Sequence, residues 1–178
     1  MRNYIFNSQT MRSTIIRGFV LLALVSTQAC RLDEKVQEAL KAAVVVALDS
    51  LAEELTAERP TDADAYTERL RVYLEAHPMF YGAAVALLDE AGAVTTSLYV
   101  YRTADGYQVL DLAQPDYNID GQDWITMPLA AKAGVWTPPY FDAGGGEIWM
   151  ITRSVPVLDS GNVFAIVTTD LPVDAPGQ

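Results

Sequence analysis

Residues 81–112 read YGAAVALLDEAGAVTTSLYVYRTADGYQVLDL. The apolar run from Tyr81 to Asp89 gives way to Glu90-Ala91-Gly92-Ala93, a turn composition. Thr95 to Arg102 then alternates small or polar side chains with apolar ones, the period of a half-buried strand. Two such runs joined by so short a turn make a hairpin. Thr103-Ala104-Asp105-Gly106 is a second turn and opens a third short strand, Tyr107 to Leu112. By the same period of two, Tyr99 and Tyr101 share one strand face, where they read as flanks of the core before they read as ligand contacts.

Working outward, EIWMITRSVPVLD (147–159) and NVFAIVTTDL (162–171) flank Ser160-Gly161 and read as a closing hairpin, with Pro156 near a strand end or on an edge. Upstream, Val36, Leu40, Val44, Leu48, Leu51 and Leu55 recur every three or four residues, the stripe of a long amphipathic helix that Pro60 ends. Thr61 or Asp62 caps a second helix carrying Tyr66, Leu70, Tyr73 and Leu74 inward, and His77-Pro78 stops it. The helices are not interleaved with every strand, so a parallel doubly wound sheet is excluded. The expected fold class is α+β: a long N-terminal helix and an antiparallel sheet of about five or six strands with flanking short helices.

The first 29 residues set the compartment. Arg2, Arg12 and Arg17 precede the apolar run Gly18 to Val25, and small and polar residues follow up to Cys30. This is the layout of a signal peptide. The run is too short for the roughly 20 residues of a bilayer-spanning helix. Met11 is an alternative start to Met1. Cys30 is the only cysteine in the chain and stands where a bacterial lipoprotein carries the thiol that becomes lipidated. Ala29 suits that site, whereas Thr27 and Gln28 depart from its usual pattern. A plain secreted protein cut near Ala29 is the alternative. The expected division is a leader at 1–29 and a single domain at 30–178, exported to the periplasm or cell surface and anchored through Cys30.

The chain of 178 residues has a formal net charge of −11, and loss of the leader leaves nine basic against 23 acidic residues, a formal charge of −14. Such a surface repels nucleic acid and anionic lipid headgroups, and concentrates cations. Against that background the segment YNIDGQDWITMPLAAKAGVWTPPYFD (117–142) combines tyrosines and tryptophans with several carboxylates. Aromatic walls with a few fixed anions suit a small cationic or amphoteric ligand.

The order Tyr117, Asp123-Trp124, GVWTPPYFD (134–142), MITRSVP (150–156) and a last strand ending at Asp170 resembles the extracytoplasmic Cache sensor domains, also called PDC domains, which are PAS-like. The resemblance runs from near Asp33 through Leu171. In the amino-acid-binding branch of that family, the ligand is held by a tyrosine seven residues before a tryptophan, an arginine two before it and a tyrosine just after it. A Tyr-x-Asp pair and a distal aspartate complete the set. The resemblance therefore implies ligand contacts at Tyr117, Trp124, Tyr140, Asp142 and, with a shift of one residue, Asp170. Gln122 stands in the arginine's place and Ile125 in that of the second tyrosine. An α-carboxylate wants a charged, forked donor, which Gln122 is not. The amine half of the site is kept and the carboxylate half lost, so the expected ligand bears an amine or quaternary ammonium and lacks a free α-carboxylate. Asp120 or Asp123 adds a further anion or simply caps the helix that begins near Trp124.

Each residue has a plainer reading. Trp124 and Trp136 suit a core wall, Asp142 a turn before Ala143-Gly144-Gly145-Gly146, and Asp170 the exposed end of a strand. The three glycines lack the setting and the lysine of a phosphate loop and read as a flexible turn. His77, the only histidine, serves as a C-terminal cap or lies at the surface, so no Ser-His-Asp set and no zinc site is assembled, and neither cofactor nor metal is expected. The expectation is a ligand-binding sensor domain, not an enzyme, that signals through a separate membrane protein or dimerises through its first helix. The alternatives are a structural or assembly lipoprotein with a vestigial pocket and a carboxylate-dependent hydrolase.

Overall fold

A computed structural model describes residues 34–177. The leader, Cys30 and the choice between Met1 and Met11 lie outside the described residues. The described residues fall into two units, one ending at Ala42 and one beginning at Ala43. In the first, residues 34–42 are helical and Lys41 pairs with Glu38 at 3.2 Å. The second holds the sheet. Among the described residues, no helix is long and apolar enough to cross a membrane.

Helix α1 covers residues 34–57 and stops short of Pro60, because the residue before a proline is pushed out of the helical region. Its Val44, Leu48, Leu51 and Leu55 are buried, as the stripe requires. Helix α2, Ala63–Ala76, is capped by Asp62, whose carboxylate accepts the Ala65 N–H at 2.9 Å. His77 is its C-cap and stacks on Phe80. Strands β1 (Gly82–Leu88), β2 (Val94–Thr103) and β3 (Gly106–Asp111) form the expected meander. Two 3₁₀ turns, Pro115–Tyr117 and Ile119–Gly121, lead into α3, Asp123–Ala131. Strands β4 (Val135–Trp136), β5 (Tyr140–Phe141), β6 (Trp149–Asp159) and β7 (Asn162–Pro172) complete the chain.

All pairings are antiparallel, in the order β3-β2-β1-β7-β6-β4, with β5 also on β6. The sheet thus has seven strands where five or six were expected. The additional members are the two-residue β4 and β5, too short to show a period. The closing hairpin turns at Ser160 and Gly161, both with positive φ, which matches the right-handed twist of the strands it joins. Pro156 lies on β6 beyond the residues that β4 and β5 pair with, so its missing N–H interrupts no ladder on that side.

The two faces of the sheet have different partners. On one, the Thr169 hydroxyl meets that of Tyr73 from α2 at 2.7 Å, and Arg153 faces Asp49 of α1 at 3.8 Å. On the other, Ala84, Ala86 and Ile166 pack under Tyr117, Trp124 and Ile125, so α3 and the preceding turns close over the strands. That second face holds the site.

Candidate ligand-binding site

Register assembles the floor. Gly82 pairs with Tyr101 and Asp170, and Asp170 with Thr152. One step along, Ala84 pairs with Tyr99 and Thr168, and Thr168 with Ser154. Paired residues point to the same face, so the central strand contributes only glycine and alanine while its neighbours contribute hydroxyls and a carboxylate. Small side chains in the middle leave room above them. A β-carbon on Gly82 would lie 2.6 Å from the Tyr99 hydroxyl and 2.9 Å from Asp170 Oδ2, so both groups converge over that glycine.

The roof comes from the segment that sequence reading marked. Tyr117, Trp124, Tyr140 and Asp142 meet Asp170 around one cavity. Asp142 does two jobs at once: its Oδ1 accepts the Tyr117 hydroxyl at 2.6 Å, and its Oδ2 accepts the Gly146 N–H at 2.6 Å. It therefore holds the turn through Gly144-Gly145-Gly146 and walls the cavity, which joins the two alternative readings of this residue. The turn is also tied by the Tyr81 hydroxyl donating to the Gly146 carbonyl at 2.8 Å. Gly144 has φ +83°, a backbone value that favours glycine.

Asp170 corrects the surface reading, since it is only 3% exposed. The Thr152 hydroxyl donates to Asp170 Oδ1 at 2.7 Å, and the Tyr140 hydroxyl lies 2.8 Å from the same Thr152 oxygen. With Thr152 donating to the carboxylate, the tyrosine donates to Thr152 and a relay runs from the roof to the floor. Burial, and then the charge of Asp142, push the Asp170 carboxyl up to about 7. The Asp142 carboxyl is also raised, by burial first and the nearby Glu147 after that, against the pull of its hydrogen bonds to Gly146 and Tyr117. Among the described residues, no Lys, Arg or His lines the cavity. The Tyr99 hydroxyl is buried beside Asp170 and makes no well-aligned hydrogen bond among the described residues, and burial, the charges of Asp170 and Asp142 and its approach to the Asp170 carboxylate push its ionisation up.

The cavity is small, about 10 Å³, the space of one water. A second cavity of about 150 Å³ shares Trp124 and Tyr140 with it and is also lined by Gly121, Gln122 and Asp123. Gln122 lies there, with its amide nitrogen donating to the Tyr117 carbonyl at 2.9 Å. Five of the six singled-out positions thus share the inner cavity, and Gln122 sits in the outer one. Asp120 belongs to neither, because it accepts the Val94 N–H at 3.0 Å. The cap of α3 is Gln122 and makes no side-chain cap bond, so neither Asp120 nor Asp123 caps that helix. Ile125 is buried in the core cluster, and Trp136 stands half-buried on β4 away from the cavity.

Sequence reading missed Tyr99, Thr152 and Thr168 as cavity residues. The signal available was the small-residue alternation Gly82, Ala84, Ala86 on one strand face, which marks a hollow flanked by whatever its neighbours place beside it.

Residues 66–175 match the family described as methyl-accepting chemotaxis protein-like, first PDC sensor domain. The chain belongs to that family. Solved structures resemble this PDC domain closely in fold. The extracellular domain of the proposed histidine kinase soHK1S-Z6 is 26% identical, covers 78% of this chain and 54% of its own, and has a TM-score of 0.62. The ligand-binding domain of the Campylobacter jejuni chemoreceptor Tlp3, solved with 4-methylisoleucine, is 19% identical with a TM-score of 0.58 over 77% of this chain and 52% of its own. That of the Pseudomonas aeruginosa PAO1 amino acid chemoreceptor PctC, solved with GABA, is 17% identical with a TM-score of 0.54 over 75% of this chain and 57% of its own. The PDC domain spans about half the length of these chains. No curated protein matches it.

Proposed function

We propose that this PDC domain is an exported sensor that holds a small cationic or amphoteric ligand, an amine above all, in the aromatic and acidic cavity. The observation that carries the reading is the pair Asp142 and Asp170, two buried carboxylates around one cavity whose lining offers no basic side chain. Buried carboxylates without a cation either take up protons or wait for a positive partner. The raised Asp170 carboxyl is the first response, and a bound ammonium is the second. Tyr117, Trp124 and Tyr140 supply faces and edges suited to a cation. Gln122 in place of a forked cation leaves a ligand carboxylate without a charged partner. The proteins solved with 4-methylisoleucine and GABA, both amine-bearing ligands, share the fold.

In this reading the domain is tethered through a lipid on Cys30 and passes its ligand state to a separate membrane protein, or to a second copy through the first helix. Ligand binding then has to differ between two states of that contact. A thermal-shift screen with amines, amino acids and carboxylates tests it, because a ligand that binds only the folded state raises the melting temperature. Stabilisation confined to amine-bearing compounds, lost in Asp170→Asn, is the expected result. Asp142→Ala is a poorer test, since Asp142 also holds the glycine turn. Mass spectrometry of the mature N-terminus tests the lipid.

The 10 Å³ cavity favours a second reading, a structural domain whose pocket is filled by its own side chains. Absence of any shift across the screen selects that one.

A further inference from the structure

The inner cavity and the Tyr99 hydroxyl bear on which cation fits. Resting on the cationic-ligand reading above, we infer that the site takes a primary ammonium group and rejects its N-methylated counterparts, with Tyr99 as a specificity-determining contact. Three observations carry this. The space between roof and floor, about 10 Å³, is at the threshold for a single water, and an –NH₃⁺ headgroup is close to a water in size. A trimethylammonium head adds three methyl groups to that volume and demands displacement of Tyr99 or Trp124, both at least 97% buried.

The second observation is hydrogen-bonding chemistry. A primary ammonium carries three donors. Around the cavity, Asp170 and Asp142 are acceptors, and the Tyr99 hydroxyl is a buried polar atom that stands beside the Asp170 carboxylate without a well-aligned hydrogen bond to it. It converges with Asp170 Oδ2 over Gly82, the one position on that row with no side chain. An ammonium there donates to the hydroxyl oxygen and to Asp170, with Asp142 on the wall of the same cavity. A quaternary ammonium donates nothing, so the Tyr99 hydroxyl and the two carboxylates gain no hydrogen bond from the ligand beyond those the protein already supplies, a shortfall that attraction to aromatic faces offsets only in part.

The third is the outer cavity. At about 150 Å³, walled by Trp124 and Tyr140, it receives a short alkyl or aryl body attached to the headgroup. Its lining offers the neutral Gln122 amide and the Asp123 carboxylate but no cationic side chain, so an anionic tail finds no oppositely charged partner among the described residues there. The ligand class is a small primary amine without a carboxylate.

Isothermal titration of the chain with n-butylamine, butyltrimethylammonium and n-butanol tests the inference. Butylamine is expected to bind at least tenfold more tightly than either of the others. Butyltrimethylammonium binding as tightly as butylamine overturns the headgroup assignment while leaving a cationic ligand in place. No binding by either cation overturns this inference and the reading beneath it together. Tyr99→Phe keeps the buried ring and removes a hydroxyl that makes no well-aligned hydrogen bond in the free protein, so it is expected to keep the fold. It is expected to weaken butylamine about tenfold and to leave butyltrimethylammonium unchanged. Unchanged butylamine affinity in Tyr99→Phe overturns the role of the hydroxyl.

Discussion

Asp170 sits where two opposing demands meet. Folding removes its carboxylate from water, and the Thr152 hydroxyl compensates one oxygen only in part. Its carboxyl ionises at about 7 in the folded chain and near 3.8 when exposed, so between those values the folded state holds the extra proton. Stability from this group is therefore complete at low pH and falls as pH rises from about 4 through 7, with a slope of at most about 1.4 kcal/mol per pH unit. Asp142, facing the same cavity and also raised, adds to that slope, while Tyr99, Tyr117 and Tyr140 stay neutral throughout. Urea unfolding from pH 4.5 to 8 should show the decline, and Asp170→Asn should flatten it and be the more stable protein at pH 8. An ammonium ligand reverses the sign, because it requires the ionised carboxylates. Its affinity should fall below pH 7 by up to about tenfold per unit, with proton release on binding visible as a buffer-dependent enthalpy. Gly82→Ala is the steric counterpart. Its methyl meets both Tyr99 and Asp170 inside 3 Å, so a loss of roughly 1–3 kcal/mol in stability and the loss of any ligand response are expected.

At the scale of elements, β6 links the two sides of the sheet, since its successive residues Thr152 and Arg153 face the cavity and α1 respectively. Thr152→Val keeps the shape and removes the middle of the relay between Tyr140 and Asp170. It leaves the half-buried Tyr140 hydroxyl and the buried Asp170 carboxylate without their shared partner, and a cost of about 1–3 kcal/mol in a denaturation experiment is expected. The long elements were legible in the sequence because each carries its own pattern: α1 through Val44, Leu48, Leu51 and Leu55, β1 as an unbroken apolar run before a glycine turn, and β2 through alternation after it. Strands β4 and β5 were not, because two residues have no period and owe their conformation to pairing with β6. The site divides in the same way. Tyr117, Trp124, Tyr140 and Asp142 lie in one segment and were found together, along with Asp170 by resemblance. Tyr99 and Thr168 reach the cavity through strand register with Ala84, from which they lie 15 and 84 residues away in sequence, information that only pairing supplies. The depth of Asp170 was equally hidden, since a residue near the end of a strand is buried or exposed according to what covers it.

The molecule as a whole carries a formal net charge of −11, and its acidic residues far outnumber its basic ones outside the cavity as well as within it. A field of that sign acts on a cationic ligand before contact, raising its local concentration and its association rate, and it does so through solvent where salt screens it. In the proposed complex the ligand's contacts with the buried Asp142 and Asp170 are screened far less. The two contributions therefore separate by ionic strength. Between 20 and 500 mM salt, roughly a fall in screening length from 20 to 4 Å, the association rate of a monovalent amine should drop severalfold while its dissociation rate stays nearly constant. Stopped-flow fluorescence can follow this through Trp124, which walls both cavities. A dissociation rate that rises with salt in step with the fall in association would place the cation at the solvated surface instead of against the floor of the sheet. The neutral probe n-butanol, run in parallel, removes salting-out from the comparison, since its rates carry the solvent effect without the field.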